Sequence, residues 1–259
     1  GKDALARFVR LCAQDERIAG RPLMLTSCEW DTIEAGLREA SGKCIVNGIC
    51  LMLGEEEFLR VAQGCQSYGA ALVVLAIGEQ GQADSYEEKV RVCQRSYRLL
   101  RSRLDFPPQD IIFDCQLTPL GSPDEAANAI TFINAVAELR RTCPHVSFIA
   151  GIGNLSMHLR GLDGLRDALH SVFLRHAVPK GLNMVIAEVG SLPRYEDLDA
   201  EIRNLCEELV LNRSADGEHL ARFLAFASFR ADRVVCLPVA TRPFSAPLLA
   251  PTPEARETQ

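Results

Sequence analysis

Short apolar runs alternate along this chain with segments whose apolar residues recur every three or four positions. Leu5, Phe8, Val9 and Cys12 fall at helical spacing within residues 3–14. Residues 23–25 then read as a short strand ending in Thr26-Ser27-Cys28. Ile33, Leu37 and Ala40 stripe the next helix, which Gly42 closes. Residues 44–46 make a second strand that delivers Asn47, and Thr26 with Glu29 has the spacing of a capping box. Glu55, Glu56 and Glu57 load a helix N-terminus with the charge its dipole favours; Phe58, Val61, Ala62 and Cys65 face inward and Gly69 is the stop.

Residues 70–76 are continuous and apolar, as a parallel strand covered on both faces must be, and they lead to Gly78-Glu79. Ser85 and Glu88 have capping-box spacing ahead of Val90, Cys93, Tyr97, Leu100 and Leu104. Residues 111–113 are the fourth strand and deliver Asp114. Ser122-Pro123-x-Glu125 is a further capping box before Ile130, Ile133, Val136 and Leu139. Residues 148–150 form the fifth strand, followed by Gly151, Gly153, Asn154 and Ser156. That stretch puts a polar amide at a strand end between glycines that permit a turn or a close ligand; a plain turn fits it equally. Leu165, Leu169 and Phe173 stripe the next helix, Gly181 ends it, and residues 184–187 are the sixth strand before Glu188. Leu198, Ile202, Leu205 and Leu209 make a helix, and residues 220–226 another.

Six β/α units in succession predict a parallel sheet, either a TIM barrel or a doubly wound sheet. Thr26, Asn47, Glu79, Asp114, Asn154 and Glu188 stand where successive strands end. A barrel would gather those ends on one face, where such folds place their chemistry. No P-loop or GxGxxG follows the first strand, so the pattern favours a barrel whose mouth is lined by amides and carboxylates. Such a lining suits a polar, hydrogen-bonding heterocycle better than a phosphate.

Composition narrows the partners. The 259 residues are 47% hydrophobic, enough for a sizeable core, and the net charge of −6 argues against nucleic acid. No apolar run is long enough to span a bilayer, and the amphipathic N-terminus lacks a signal-peptide pattern. Ten scattered cysteines without a CxxC pair read as reduced thiols of a cytoplasmic protein and lack zinc-ligand spacing. Beyond residue 231 the Pro- and Ala-rich sequence loses its periodicity, giving an expected domain over residues 1–230 and a disordered tail over 231–259.

Longer blocks carry a resemblance. GKCIVNGICLMLGEEEFLRVAQGCQSYGAALVVLAIGEQGQAD, FPPQDIIFD, GIGNLSMHLRG and DALHSVFLRHAVPKGLNM resemble the pterin-binding (folate) domain of cobalamin-dependent methionine synthase, over residues 3–227. A looser likeness extends to corrinoid-protein methyltransferases and dihydropteroate synthase, although Arg160 and Lys180 are too isolated for the latter's phosphate site. The resemblance implies a (β/α)8 barrel holding 5-methyltetrahydrofolate, whose N5 methyl passes to cob(I)alamin carried by another module or protein, for homocysteine methylation. It implies Asp114 as the acceptor of two adjacent pterin N–H donors, Asn47 on the ring edge, and Asn154 near N5 as the catalytic amide; Glu79 matches a binding position.

The departures from that pattern are as specific. Thr26-Ser27-Cys28 stands where the family has Asp-Ser-Ser, Ile77-Gly78-Glu79 where it has Phe-Asp-Glu, and Asp114-Cys115-Gln116 where it has Asp-Pro-Asn. The family's first two barrel strands have no counterpart, so about six units are expected, an incomplete barrel. Two readings follow. One is a methyltransferase domain; the other is an inactive relative acting as a folate-binding or protein-interaction fragment, and the chain alone is expected not to turn over. His158 and His170 flank the Asn154 loop as proton shuttles or structural groups, and Cys50 and Cys115 read as core thiols.

Overall fold

In a computed structural model the chain runs α1 (Lys2–Gln14), β1 (Met24–Thr26), α2 (Trp30–Glu39), β2 (Ile45–Ile49), α3 (Glu55–Ser67) and β3 (Ala71–Leu75). A two-residue pair, β4 (Ile77–Gly78) and β5 (Gly81–Gln82), precedes α4 (Tyr86–Leu104), β6 (Ile111–Asp114) and α5 (Asn128–Thr142). Then come β7 (Ser147–Gly151), α6 (Asp163–Ala177), β8 (Met184–Ile186), α7 (Ala200–Val210) and α8 (Glu218–Ala231). The structure describes residues 1–122, 125–159, 161–188, 190, 192–213 and 218–231. The expected tail, Pro123 of the third capping box and Arg160 lie outside the described residues.

Six strands pair in parallel in the order β1-β2-β3-β6-β7-β8, which is their order in the chain. The sheet curls into an incomplete α/β barrel, as the alternation predicts. Its two faces bury different residues because side chains alternate across a strand. Leu25, Val46, Leu72, Val74, Phe113, Phe148 and Ala150 join the large core shared with the helices. Ala71, Val73, Ile112 and Ile149 form a separate small cluster, with Met24, Ile45, Leu75 and Met184 packed against it. That second cluster is the floor of the concave face.

Local chemistry explains several boundaries. Ser85 caps α4 as expected, with Ser85 Oγ accepting from Glu88 N–H and the Glu88 side chain accepting from Ser85 N–H. The other two boxes are corrected. Thr26 caps nothing: Ser27 Oγ accepts from Glu29 N–H, and Glu29 becomes the N-cap of α2. Glu125 accepts instead from Gly121 N–H, and α5 starts only at Asn128. The tiny β4–β5 hairpin, turning at Glu79-Gln80, interrupts the succession of β/α units read from the sequence. On α1, Val9 and Cys12 are buried as expected but Phe8 is 60% exposed. On α4, Lys89, Val92, Cys93, Ser96 and Leu100 are the buried residues, while Val90, Tyr97 and Leu104 only pack at the margin.

Gly64 lies in the middle of α3, where Ala would ordinarily be better by about 1 kcal/mol. A Cβ there would meet the Trp30 ring at 2.3 Å, so the two helices approach only because the side chain is absent. Overpacking costs roughly 1–3 kcal/mol and outweighs the propensity gain. Gly64→Ala should therefore lower the melting temperature, and Trp30 fluorescence should report the displaced ring. An unchanged or higher melting temperature would mean that the ring moves aside freely.

Candidate functional site

Three of the predicted residues share the concave face at the C-terminal end of the sheet. Thr26 pairs with Asn47 across β1 and β2, and Asn47 pairs with Val73. Asp114 pairs with Leu75 and lies two residues beyond Ile112, hence on the same face as that floor residue. Asn47 is half-buried and precedes a register shift in which Gly48 has no partner, so β2 bulges there. A Cβ on Gly48 would sit 3.1 Å from the Val73 carbonyl oxygen, a tight contact that glycine avoids where the strands close beside Asn47.

Asp114 is the most perturbed group of the mouth. Its Oδ1 accepts from Gln116 N–H at 2.8 Å across a turn in which Gln116 has φ of 56°. Burial pushes its carboxyl up to about 6, against the pull of the Gln116 N–H and the nearby Lys89 ammonium. A carboxylate held this dry binds paired donors strongly, because nothing else satisfies its charge as well. Cys115 and Cys93 beside it are fully buried, and burial raises the Cys93 thiol, so Cys93 is not an activated nucleophile. Cys28 is exposed and Cys50 half-buried, whereas Cys12, Cys44, Cys65, Cys143 and Cys206 are buried free thiols.

Asn154 stands apart from that group along the rim. It follows β7 in a short 3-10 segment, Ile152–Leu159, and lines a cleft of about 530 Å³ between the ends of β7 and β8. The cleft size lies within the range of ligand sites. Glu188, Asp163, Arg166, Asp167 and His170 line it as well, while Asn47 and Asp114 do not. Asp167 has its carboxyl raised by burial, partly offset by Arg166. His170 Nε2 lies 2.8 Å from Ser156 Oγ, and burial lowers the imidazole to about 4, with Arg166 adding to the effect. It is neutral near pH 7 and ties α6 to the segment that carries Asn154. His158 is exposed and lies 3.6 Å from Glu125.

Glu79 does not join the concave group. Arg95 grips it bidentately from α4, donating to both carboxylate oxygens at 2.7 and 2.8 Å, and also donates to Glu55 on α3. Those bonds hold the Glu79 carboxyl below its usual range. Arg95 thus ties the β4–β5 turn, through Glu79, to α4 and α3. Gly78 is buried with Val92 beside it.

The pattern overlooked two sets of residues. Asp163, Arg166 and Asp167 occupy the first turns of α6; their spacing of three and four was the available signal that one helix face looks onto the strand end. Lys89 is 2% exposed, at the same face as Cys93, Ser96 and Leu100. A lysine in phase with a buried stripe was the clue.

The model of a family described as pterin binding enzyme matches residues 1–188, most of the chain and every strand of the sheet.

Proposed function

The chain belongs to the pterin binding enzyme family, and on that premise we propose that it seats the pterin ring of a reduced folate, 5-methyltetrahydrofolate, in the concave mouth. The observation that carries this is Asp114, a largely buried carboxylate at the end of a central strand, over an apolar floor of Val73, Ile112 and Ile149. The flat ring lies on that floor, and its amino group and neighbouring ring N–H donate to the two carboxylate oxygens. Asn47, two strands away across β3, both donates and accepts along the ring edge. Asn154, in the neighbouring cleft at the rim, is the amide we assign to the N5 side of the ring.

The chemistry we assign is methyl transfer. The N5–methyl bond breaks, the methyl group goes to cob(I)alamin held by a separate module, and N5 keeps the bonding electrons and takes a proton. Departure from a tertiary amine needs N5 protonated or hydrogen-bonded, which is the work of the Asn154 amide. Within the described residues no helix is long and apolar enough to cross a membrane. Thr26 supplies no charge where the resembling enzymes carry a carboxylate, which favours a binding role with slow or absent turnover in this chain alone. Loss of a charged hydrogen bond costs roughly 1.5–3 kcal/mol, about tenfold to a hundredfold in affinity.

Mixing the chain with 5-methyltetrahydrofolate and supplied cob(I)alamin, and following the corrinoid absorbance, separates the two roles. Binding without an absorbance change supports the folate-binding reading. A rate that Thr26→Asp raises at least about tenfold supports the methyltransferase with a missing carboxylate. No binding of the folate at all would sink both.

A further inference from the structure

The Lys89 ammonium is the one buried cation that touches the strand end carrying Asp114, among the described residues. Its Nζ donates to the carbonyl oxygens of Ala83 at 2.8 Å, Cys115 at 2.9 Å and Gln116 at 3.1 Å. An ammonium has three N–H donors, and here all three meet carbonyls, so the charge is solvated by backbone alone. Two of those carbonyls follow Asp114 directly. The same turn carries the Gln116 N–H that binds the Asp114 carboxylate, in a left-handed conformation that glutamine adopts at some cost. Something must hold the turn in place, and the ammonium does so from underneath.

We propose that Lys89 is a positioning residue for Asp114: its ammonium clamps the 115–116 turn and keeps the neighbouring carboxylate ionised and aimed at the pterin. This rests on the reading of Asp114 as the pterin acceptor. The groups that face the pair are few. Asp84 precedes α4, Cys93 lies one turn beyond Lys89 along it, Cys115 follows β6, and Cys143 adds to the thiols around Cys93. Lys89 is the cation of this group, and Asp114 and Asp84 are its carboxylates. Burial lowers the Lys89 ammonium, and those anions and thiols hold it up. A buried lysine without such partners would shed its proton; one whose three donors are all satisfied keeps it. The geometry thus ties the charge on the carboxylate to a buried side chain of α4.

The test compares Lys89→Gln and Lys89→Met with the native chain. Carbon-13 resonances of the Asp114 carboxyl, assigned by Asp114→Asn, give its titration midpoint in the free protein. Calorimetry with 5-methyltetrahydrofolate at pH 6 to 8.5 gives the affinity profile. Both variants should raise the midpoint by about one pH unit. They should weaken binding about tenfold at pH 7 and recover part of it at pH 8.5. A midpoint that stays put, or an equal loss at every pH, would reduce Lys89 to a packing residue and overturn the proposal. If neither variant folds, the Lys89 Nζ resonance of the native chain decides. It should follow the Asp114 titration, and a flat response overturns the link. If the native chain binds no folate, the ligand reading fails, while the resonances still show whether Lys89 governs Asp114.

Discussion

Asp114→Asn should weaken folate binding about a hundredfold near pH 7 and yet make the folded chain more stable. Both effects come from the same burial. The native carboxyl is pushed up to about 6, so at pH 7 the fold holds a charge that it solvates poorly. An acid whose folded value exceeds its unfolded value gives stability below the unfolded value, near 3.9, and loses it as pH rises through the folded one. Between pH 4 and pH 7 the native chain should lose up to about 3 kcal/mol from this group alone. The asparagine variant removes that slope, since its Oδ1 still accepts the Gln116 N–H and nothing ionises. Binding suffers because an amide turns two N–H donors toward a pterin edge that is itself a pair of donors. A loss of about a hundredfold or more follows, against about tenfold for Asn154→Ala, which removes one neutral contact. Calorimetry and urea unfolding at pH 5 and 7 read both halves. Equal, small losses of affinity for the two variants would overturn the assigned roles.

The largest loss of stability should come from Phe113→Ala, one residue earlier and on the opposite face. Phe113 has no exposed surface, pairs in register with Phe148, and its ring centroid lies 6.2 Å from that of Phe148. Removing a fully buried phenyl ring costs roughly 3–5 kcal/mol, as transfer energy plus a cavity that a close-packed interior only partly closes. Thermal unfolding should shift down by many degrees. The chain that remains folded should still bind the folate, because the lost ring faces the helices while Asp114 faces the mouth. Binding lost in step with the phenyl ring, at a temperature where the fold persists, would show that the two faces are not separable.

These two variants mark what the sequence makes legible. A strand buried on both faces must be apolar throughout, so residues 71–75 announce themselves, and alternation with helices then dictates a parallel order. The strand-end position of Asp114 follows from the same pattern, as does the Ser85–Glu88 cap, because that bond closes within four residues. Non-local partnerships are a different matter. Nothing at Glu79 announces that Arg95, sixteen positions later, claims both its oxygens. The four-residue β4–β5 pairing is too short to impose a period. Thr26 and Glu29 have the right spacing, but Ser27 between them reaches the Glu29 N–H. Phe8 obeys the helical spacing and still faces outward, since α1 is covered on one side only. Lys89 looks like a solvated surface cation in sequence because the three carbonyls that satisfy its donors come from residues 83, 115 and 116.

The seat of a reduced folate on the Asp114 carboxylate is tested most directly by the protons that binding moves. Calorimetric titration with 5-methyltetrahydrofolate, in buffers of different ionisation enthalpy at pH 6 and pH 8, counts them. Binding to the carboxylate, half-protonated near pH 6, should be one-to-one and release about half a proton there and almost none at pH 8. The Asp114→Asn variant should release none at either pH. Binding with no proton release at pH 6, or with the same release from the asparagine variant, would contradict the seat at Asp114.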